Sequence, residues 1–400
     1  DADGRGRRLV SEATKTAQHG LSEHSHGFGV PIQTRSERLK SVTLSDFAEI
    51  STREEQWRYI TADRLGGLDQ AGLDEFSGDI EAKLADGVET SWIDSEHKLF
   101  GTAGIPEDRV AAAGWEAANA AYLISIPSSV TGSAQNTITI TSMSQDPAAL
   151  HIVVEAKRGS EAVVVIDHRG DAVLSENIEF VIEDEAKLTV VSIQDWNPGS
   201  IHNGAQYAKL ARNSVFKHVM VTLGGAVVRM SPSAYFSAPG GDAALYGLYF
   251  ADAGQYLEHR IFVDHSTPNC KSRVTYKGAL QGAKAHTVWV GDVLIRAAAE
   301  GTDTYELNRN LLLTDGARAD SVPNLEIETG QIQGAGHASA SGRFDDEQLF
   351  YLQARGITEL EARRLVVRGF LMDVVQQIGV AEVEERLEAS IEAELERSSI

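Results

Sequence analysis

Histidine and cysteine are the side chains here best suited to hold a soft or borderline metal. Three places in the 400-residue chain bring them forward. His259, His265 and the single cysteine, Cys270, run close together, and the even separation of the two histidines would put them on one face of an uninterrupted strand. Their ligand types suit iron or zinc. The plainer reading is preferred: a strand entering a Pro268-Asn269 turn, with Cys270 packed as a small hydrophobe. His337 lies in Gly334-Ala335-Gly336-His337-Ala338-Ser339-Ala340-Ser341-Gly342, expected to be a loop. Its small neighbours would expose the imidazole and admit another backbone, as at an interface, but an ordinary turn histidine looks the same. His19, His24 and His26 fall in an arm, residues 1–40, that has no apolar period and so no rigid frame for a metal.

Other chemistries are missing their motifs. No Gly-x4-Gly-Lys-Ser/Thr segment cradles a phosphate, so no nucleotide is expected on this chain. Gly334-Ala335-Gly336 has Ser339 where a dinucleotide turn needs glycine, and neither a Gly-x-Ser-x-Gly elbow nor a His-Glu-x-x-His pair occurs. One thiol closes no intrachain disulfide and builds no multi-thiolate zinc site.

The elements that must position these residues change in texture along the chain. Residues 41–121 read as a small helical region, with Ser51 and Glu54 opening a helix through Trp57 and Ile60, and a second helix over Glu107–Ala121. From 122 to 336 short β-branched runs follow one another, such as Thr137–Thr141, Ala162–Ile166, Leu188–Val191 and Val219–Leu223, mostly about 10–13 residues apart. A sandwich, a barrel or a solenoid could supply that spacing. The length favours a parallel β-helix, which grows by stacking coils, although no strict repeat is visible. Residues 337–400 read as three helices: one capped by Asp345 with Gln348, one opened by the box Thr358-Glu359-Leu360-Glu361, and one over Ala381–Arg397. On the last, Val383, Leu387, Ile391 and Leu395 form a narrow stripe fit either for the chain's own domain or for a partner.

Charge narrows the partners. With 36 Lys+Arg against 58 Asp+Glu the net charge is −22, which disfavours phosphate backbones and anionic lipid. Gln353–Arg368 superficially resembles a helix-turn-helix, but Glu382, Glu384, Glu385 and Glu388 on the next helix would repel DNA. No run approaches the roughly 18–20 apolar residues of a membrane span, and a cytoplasmic location is expected.

Several segments carry a resemblance. Pro323-Asn324-Leu325-Glu326-Ile327, then His337, then Gly342-Arg343-Phe344-Asp345-Asp346-Glu347-Gln348-Leu349-Phe350-Tyr351-Leu352-Gln353-Ala354-Arg355-Gly356-Ile357 is similar to the SufB/SufD family of iron–sulfur cluster assembly scaffolds. Tyr305–Leu313, Tyr276-Lys277-Gly278 and Glu55-Gln56-Trp57-Arg58-Tyr59 resemble it too. Ala338, where the SufB pattern has Glu, points to the SufD branch. The resemblance implies a mainly β fold, a right-handed parallel β-helix core flanked by N- and C-terminal α-helical domains. It implies a non-enzymatic subunit that pairs with SufB through the β-helices, with a homodimer in isolation left open. A SufC-type ABC ATPase would dock on the C-terminal helices and supply ATP hydrolysis. His337 matches the family histidine proposed to help hold a nascent iron–sulfur cluster, transient and shared with SufB; Ala335 stands where some relatives carry Cys. Cys270 gains no ligand role. A β-helix carbohydrate-active enzyme is the rival reading, and such enzymes usually line a groove with acidic groups.

Overall fold

The computed structural model describes residues 38–132, 134–344 and 346–397. The arm of residues 1–37, with His19, His24 and His26, and the expected cap at Asp345 lie outside the described residues, as does the Gln348 side chain.

Short strands β1 (Asp74–Glu75), β2 (Asp79–Lys83) and β3 (Glu89–Asp94) precede helix α1 (Arg109–Ala117) and strand β4 (Ala120–Ile126). Two long strands follow, β5 (Ala134–Ala156) and β6 (Glu161–Ile182). The chain then settles into strands of mostly ten residues: β7 (Lys187–Trp196), β8 (Ile201–Leu210), β9 (Val215–Thr222), β10 (Val227–Phe236), β11 (Asp242–Ala251) and β12 (Tyr256–His265). β13 (Lys271–Leu280), β14 (His286–Ile295), β15 (Asp303–Leu312), β16 (Arg318–Ile327) and β17 (Gly334–Arg343) complete the series. Helices α2 (Asp346–Gln353), α3 (Glu359–Val375) and α4 (Ala381–Arg397) end it.

β2 with β5 and β3 with β4 pair antiparallel; from β7 onward pairing is parallel and skips one strand. The first half of β6 pairs with β7, then β9, β11, β13, β15 and β17 stack in turn; the second half of β6 begins the stack β8, β10, β12, β14, β16. This is a parallel β-solenoid of about eight turns, as the length of the β-rich region favours. Stacked residues are 26 apart at Lys187 and Glu161 and 32 apart at Ser272 and Thr304, so coil length drifts and hides the repeat from the sequence.

The interior of the early coils is apolar, built by Ile138, Ile152, Val164, Ile178, Phe180 and Val190. Later coils interlock rings with glycines: Gly247 stands opposite Tyr276, and Tyr249 opposite Gly278. A Cβ at Gly278 would lie 1.8 Å from Tyr249 Cε2. Gly278→Ala is therefore expected to cost about 1–3 kcal/mol through forced displacement of the ring; an unchanged denaturant midpoint would show that the tyrosine moves freely.

Both outer faces are covered. Trp57, Ile60, Leu65 and Leu68 pack with Val173, Val227, Tyr256 and Val288 on one face. The helix expected over 52–60 is replaced there by 3-10 turns at Leu44–Asp46, Glu55–Trp57 and Ala62–Leu65. Close approach to the sheet is the reason: at Gly66, with φ of +61°, a Cβ would stand 2.9 Å from Ile201 Cδ1. Ser51 makes a turn rather than a capping box, its carbonyl accepting from Glu54 N–H at 2.9 Å. The second expected helix is present as α1, shorter than 107–121, with Asp108 Oδ1 accepting from Ala111 N–H at 2.9 Å. It stops because Ala120 already begins β4.

The opposite face carries the C-terminal helices. Val163, Val165, Val191, Ile193, Val219, Val221, Leu248 and Phe250 meet Val367, Leu371, Val374, Leu387, Ile391 and Leu395. The stripe of α4 thus docks on its own solenoid. The Thr358–Glu361 capping box forms as expected, and α4 and α3 are tied to the sheet through Arg386–Asp167 and Lys277–Asp373, the latter at 2.6 Å. Among the described residues no helix is long and apolar enough to cross a membrane.

Candidate functional site

His337 sits on strand β17, not in a loop; the small residues around it form the last rung of a stack. They pair residue for residue with β15, His337 opposite Glu306 and Ser341 opposite Asn310. Paired positions on parallel strands face the same way, and Asn310 Nδ2 donates to Ser341 Oγ at 3.1 Å, which fixes that face as the inward one. No described strand stacks beyond β17, so His337 is exposed although it faces inward. The imidazole is offered at an open end.

Beneath it the solenoid interior is polar. On β15, Thr304, Glu306, Asn308 and Asn310 all point inward and are buried. Tyr249 Oη donates to Asn310 Oδ1 at 2.6 Å and accepts from Asn308 Nδ2 at 3.0 Å; Ser321 Oγ on β16 donates to Asn308 Oδ1 at 2.7 Å. Burial, reinforced by the charge of Asp292, pushes the Glu306 carboxyl up to about 8.

His259 and His265 do share the inward face of β12, but they do not converge with Cys270. His259 meets Thr222 Oγ1 at 2.9 Å and stacks on Tyr249, while His265 meets Ser272 Oγ at 2.9 Å. Cys270 is buried in the turn before β13, its thiol 3.5 Å from the Pro268 carbonyl. The preferred packing reading holds.

The group among the described residues that could hold a metal was not anticipated: His168, Glu176 and His202, wholly buried, with ligand atoms within 4.8 Å of one another. Proton positions decide its nature. His168 Nδ1 donates to the Ile193 carbonyl at 2.9 Å while Nε2 lies 2.9 Å from a Glu176 oxygen, so an imidazolium faces a carboxylate. His202 Nδ1 accepts from Trp196 Nε1–H at 3.1 Å, which leaves its own proton on Nε2, 3.3 Å from Glu176. A metal-bound histidine needs its second nitrogen as a donor, and Trp196 occupies that place as a donor itself. The trio is a closed ion pair with a neutral companion.

Two further surfaces flank the open end. Phe350 and Tyr351 on α2 and Leu360 and Leu365 on α3 are exposed large side chains, with Phe350 72% exposed. β16 and β17 leave one ladder edge each without a described partner.

The described residues thus form a parallel β-solenoid with His337 exposed on its last described strand. The chain belongs to the SufBD family: the model for the SUF system FeS cluster assembly SufBD core domain matches residues 138–370. An iron–sulfur cluster assembly SufBD family protein of Mycobacterium tuberculosis is 51% identical over 370 residues, covering 90% of this chain and 93% of that one. A second SufBD family protein of the same organism is 24% identical over 211 residues, 53% of this chain and 25% of that longer protein. The iron–sulfur cluster assembly protein SufD of Escherichia coli is 28% identical over 231 residues, 56% of this chain and 54% of its own length. These findings do not favour the carbohydrate-active reading.

Proposed function

We propose that this chain is the SufD-type, non-enzymatic subunit of a cytoplasmic scaffold that assembles iron–sulfur clusters. It pairs with a SufB-type subunit through the solenoid, and a SufC-type ABC ATPase docks on the C-terminal helices and hydrolyses ATP. The observation that carries the reading is His337 on the inward face of the final, open rung. An imidazole there is a suitable iron ligand for a transient cluster whose thiolate ligands come from the partner, because Cys270 is buried in the turn before β13. Two SufBD family proteins in one mycobacterium support pairing of unlike subunits. The exposed Phe350, Tyr351, Leu360 and Leu365 support docking on α2 and α3.

Co-expression with SufB-type and SufC-type chains is expected to yield a three-component complex, and failure to isolate one sinks the proposal. His337→Ala is expected to leave that complex intact and to lower bound iron and sulfide several-fold after anaerobic reconstitution. Unchanged iron and sulfide removes the histidine from the mechanism.

A further inference from the structure

The inward row on β15 is satisfied except at one place. Thr304 Oγ1 meets Ser272 Oγ at 2.6 Å, Asn308 meets Tyr249, and Asn310 meets Ser341. Glu306 is 0% exposed, and neither of its carboxylate oxygens has a hydrogen-bond partner. Trp289 Nε1, on the facing β14, is also unpartnered. A buried carboxyl without a partner is costly, and such groups in native folds call for a ligand, ion or water that supplies the missing contact.

Two features connect this residue to the open end. Glu306 is the direct cross-strand neighbour of His337, on the same face, at the ~4.8 Å spacing of adjacent strands. The carboxyl also has a berth across the interior: a Cβ at Gly291 would lie 2.6 Å from Glu306 Oε1 and 2.4 Å from Trp289 Cη2. The glycine gives the side chain a place to rest, but no bond to hold it there. Val274 on β13, Trp289 and Gly291 on β14 and His337 on β17 surround it, and none of these is a cation that would neutralise a carboxylate.

We propose that Glu306 is the second protein ligand, beside His337, of a divalent iron site at the open end of the solenoid. The side chain leaves its berth against Gly291 and turns toward the mouth, so that imidazole and carboxylate hold the ion from neighbouring rungs. Imidazole with carboxylate is a ligand pair suited to iron(II) and to cobalt(II). On binding, the carboxyl gives up its proton to bulk water; its one negative charge then offsets half of the ion's charge and leaves coordination positions for water or for groups from a partner. The inference rests on the reading of His337 given above.

Anaerobic equilibrium dialysis of the full chain with cobalt(II), followed by its visible absorption bands, tests it. The unmodified chain is expected to bind one ion, and Glu306→Gln and His337→Ala are each expected to weaken binding at least tenfold. The Gln variant keeps the size of the side chain and is expected to melt no lower than the parent, which separates lost ligation from lost fold. Loss in His337→Ala with full binding in Glu306→Gln overturns the role of Glu306 and leaves the histidine reading standing. Full binding in both variants overturns both, as does absence of any bound ion. Loss in Glu306→Gln alone overturns the pairing with His337.

Discussion

Lowering the pH from 7 to 5 is expected to remove on the order of 3 kcal/mol of stability from this chain. His218, His259 and His265 lie inside the solenoid, and burial pushes each imidazole down from 6.5 to about 3; at His265 the charge of Asp303 partly opposes the shift. Their Nε2 atoms meet neutral partners, Gln206, Thr222 and Ser272, at 2.6, 2.9 and 2.9 Å. The sign follows from proton binding. The unfolded chain takes up protons below pH 6.5 while the folded chain stays neutral down to about pH 3, so the loss begins near 6.5 and is complete by about 3. Each histidine contributes about 2 kcal/mol of that loss by pH 5. His202, also lowered by burial, adds to it; His168, raised by Glu176 despite its burial, keeps its proton when folded and offsets a part, and Glu306, raised by burial to about 8, takes up its proton first in the folded chain and offsets about 2 kcal/mol more. Urea midpoints at the two pH values measure the effect, and His259→Gln is expected to flatten the pH dependence by one proton. Equal midpoints at pH 7 and pH 5 would show that these rings protonate without unfolding.

The second large effect is expected at Glu176. Its carboxylate accepts from the His168 imidazolium and faces the Nε2 proton of His202, and the charged His168 beside it holds its carboxyl down at about 2 although burial works the other way. Glu176→Gln keeps the shape but leaves a positive ring in an apolar interior, at a cost of about 3–5 kcal/mol. The ring then loses its second proton, so the variant should also release about one proton more than the parent when brought to pH 7. Combining it with His168→Gln is expected to recover part of the loss, since the two changes act on one pair. A single-variant cost below about 1 kcal/mol would mean that the ion pair is not formed in solution. Acid leaves this pair intact longest: the Glu176 contribution declines only between about pH 4.5 and 2.

Local signals carried well from sequence to structure. The Thr358 box and the stripe of Val383, Leu387, Ile391 and Leu395 depend on neighbours three or four residues away, and both appear as read. The solenoid was legible as a count of β-branched runs, because each coil needs its own apolar strand. What did not carry was set at long range. Trp57 and Leu65 lie on 3-10 turns because the backbone at Gly66 must come close to Ile201, which no local rule encodes. His337 read as a loop residue because Gly, Ala and Ser have low strand preference; pairing with β15 overrides that preference. Glu306 and the His168 trio escaped notice, although the alternation Thr304, Glu306, Asn308, Asn310 is a period-two signal open to any reader who allows polar residues to face inward.

The stacking order of the strands has a consequence for how the chain is made. Each coil needs as its template only the coil before it, 26 residues back at Lys187 and 32 at Thr304, so folding can follow the emerging chain from the ribosome, coil upon coil. The ion pair of Arg386 with Asp167 spans 219 positions and waits until α4 has been made. Until then Val163, Val191, Val219 and Leu248 stay bare on the outer wall. The nascent protein is thus most prone to aggregate late, with its barrel of coils already built and its final two helices still to come.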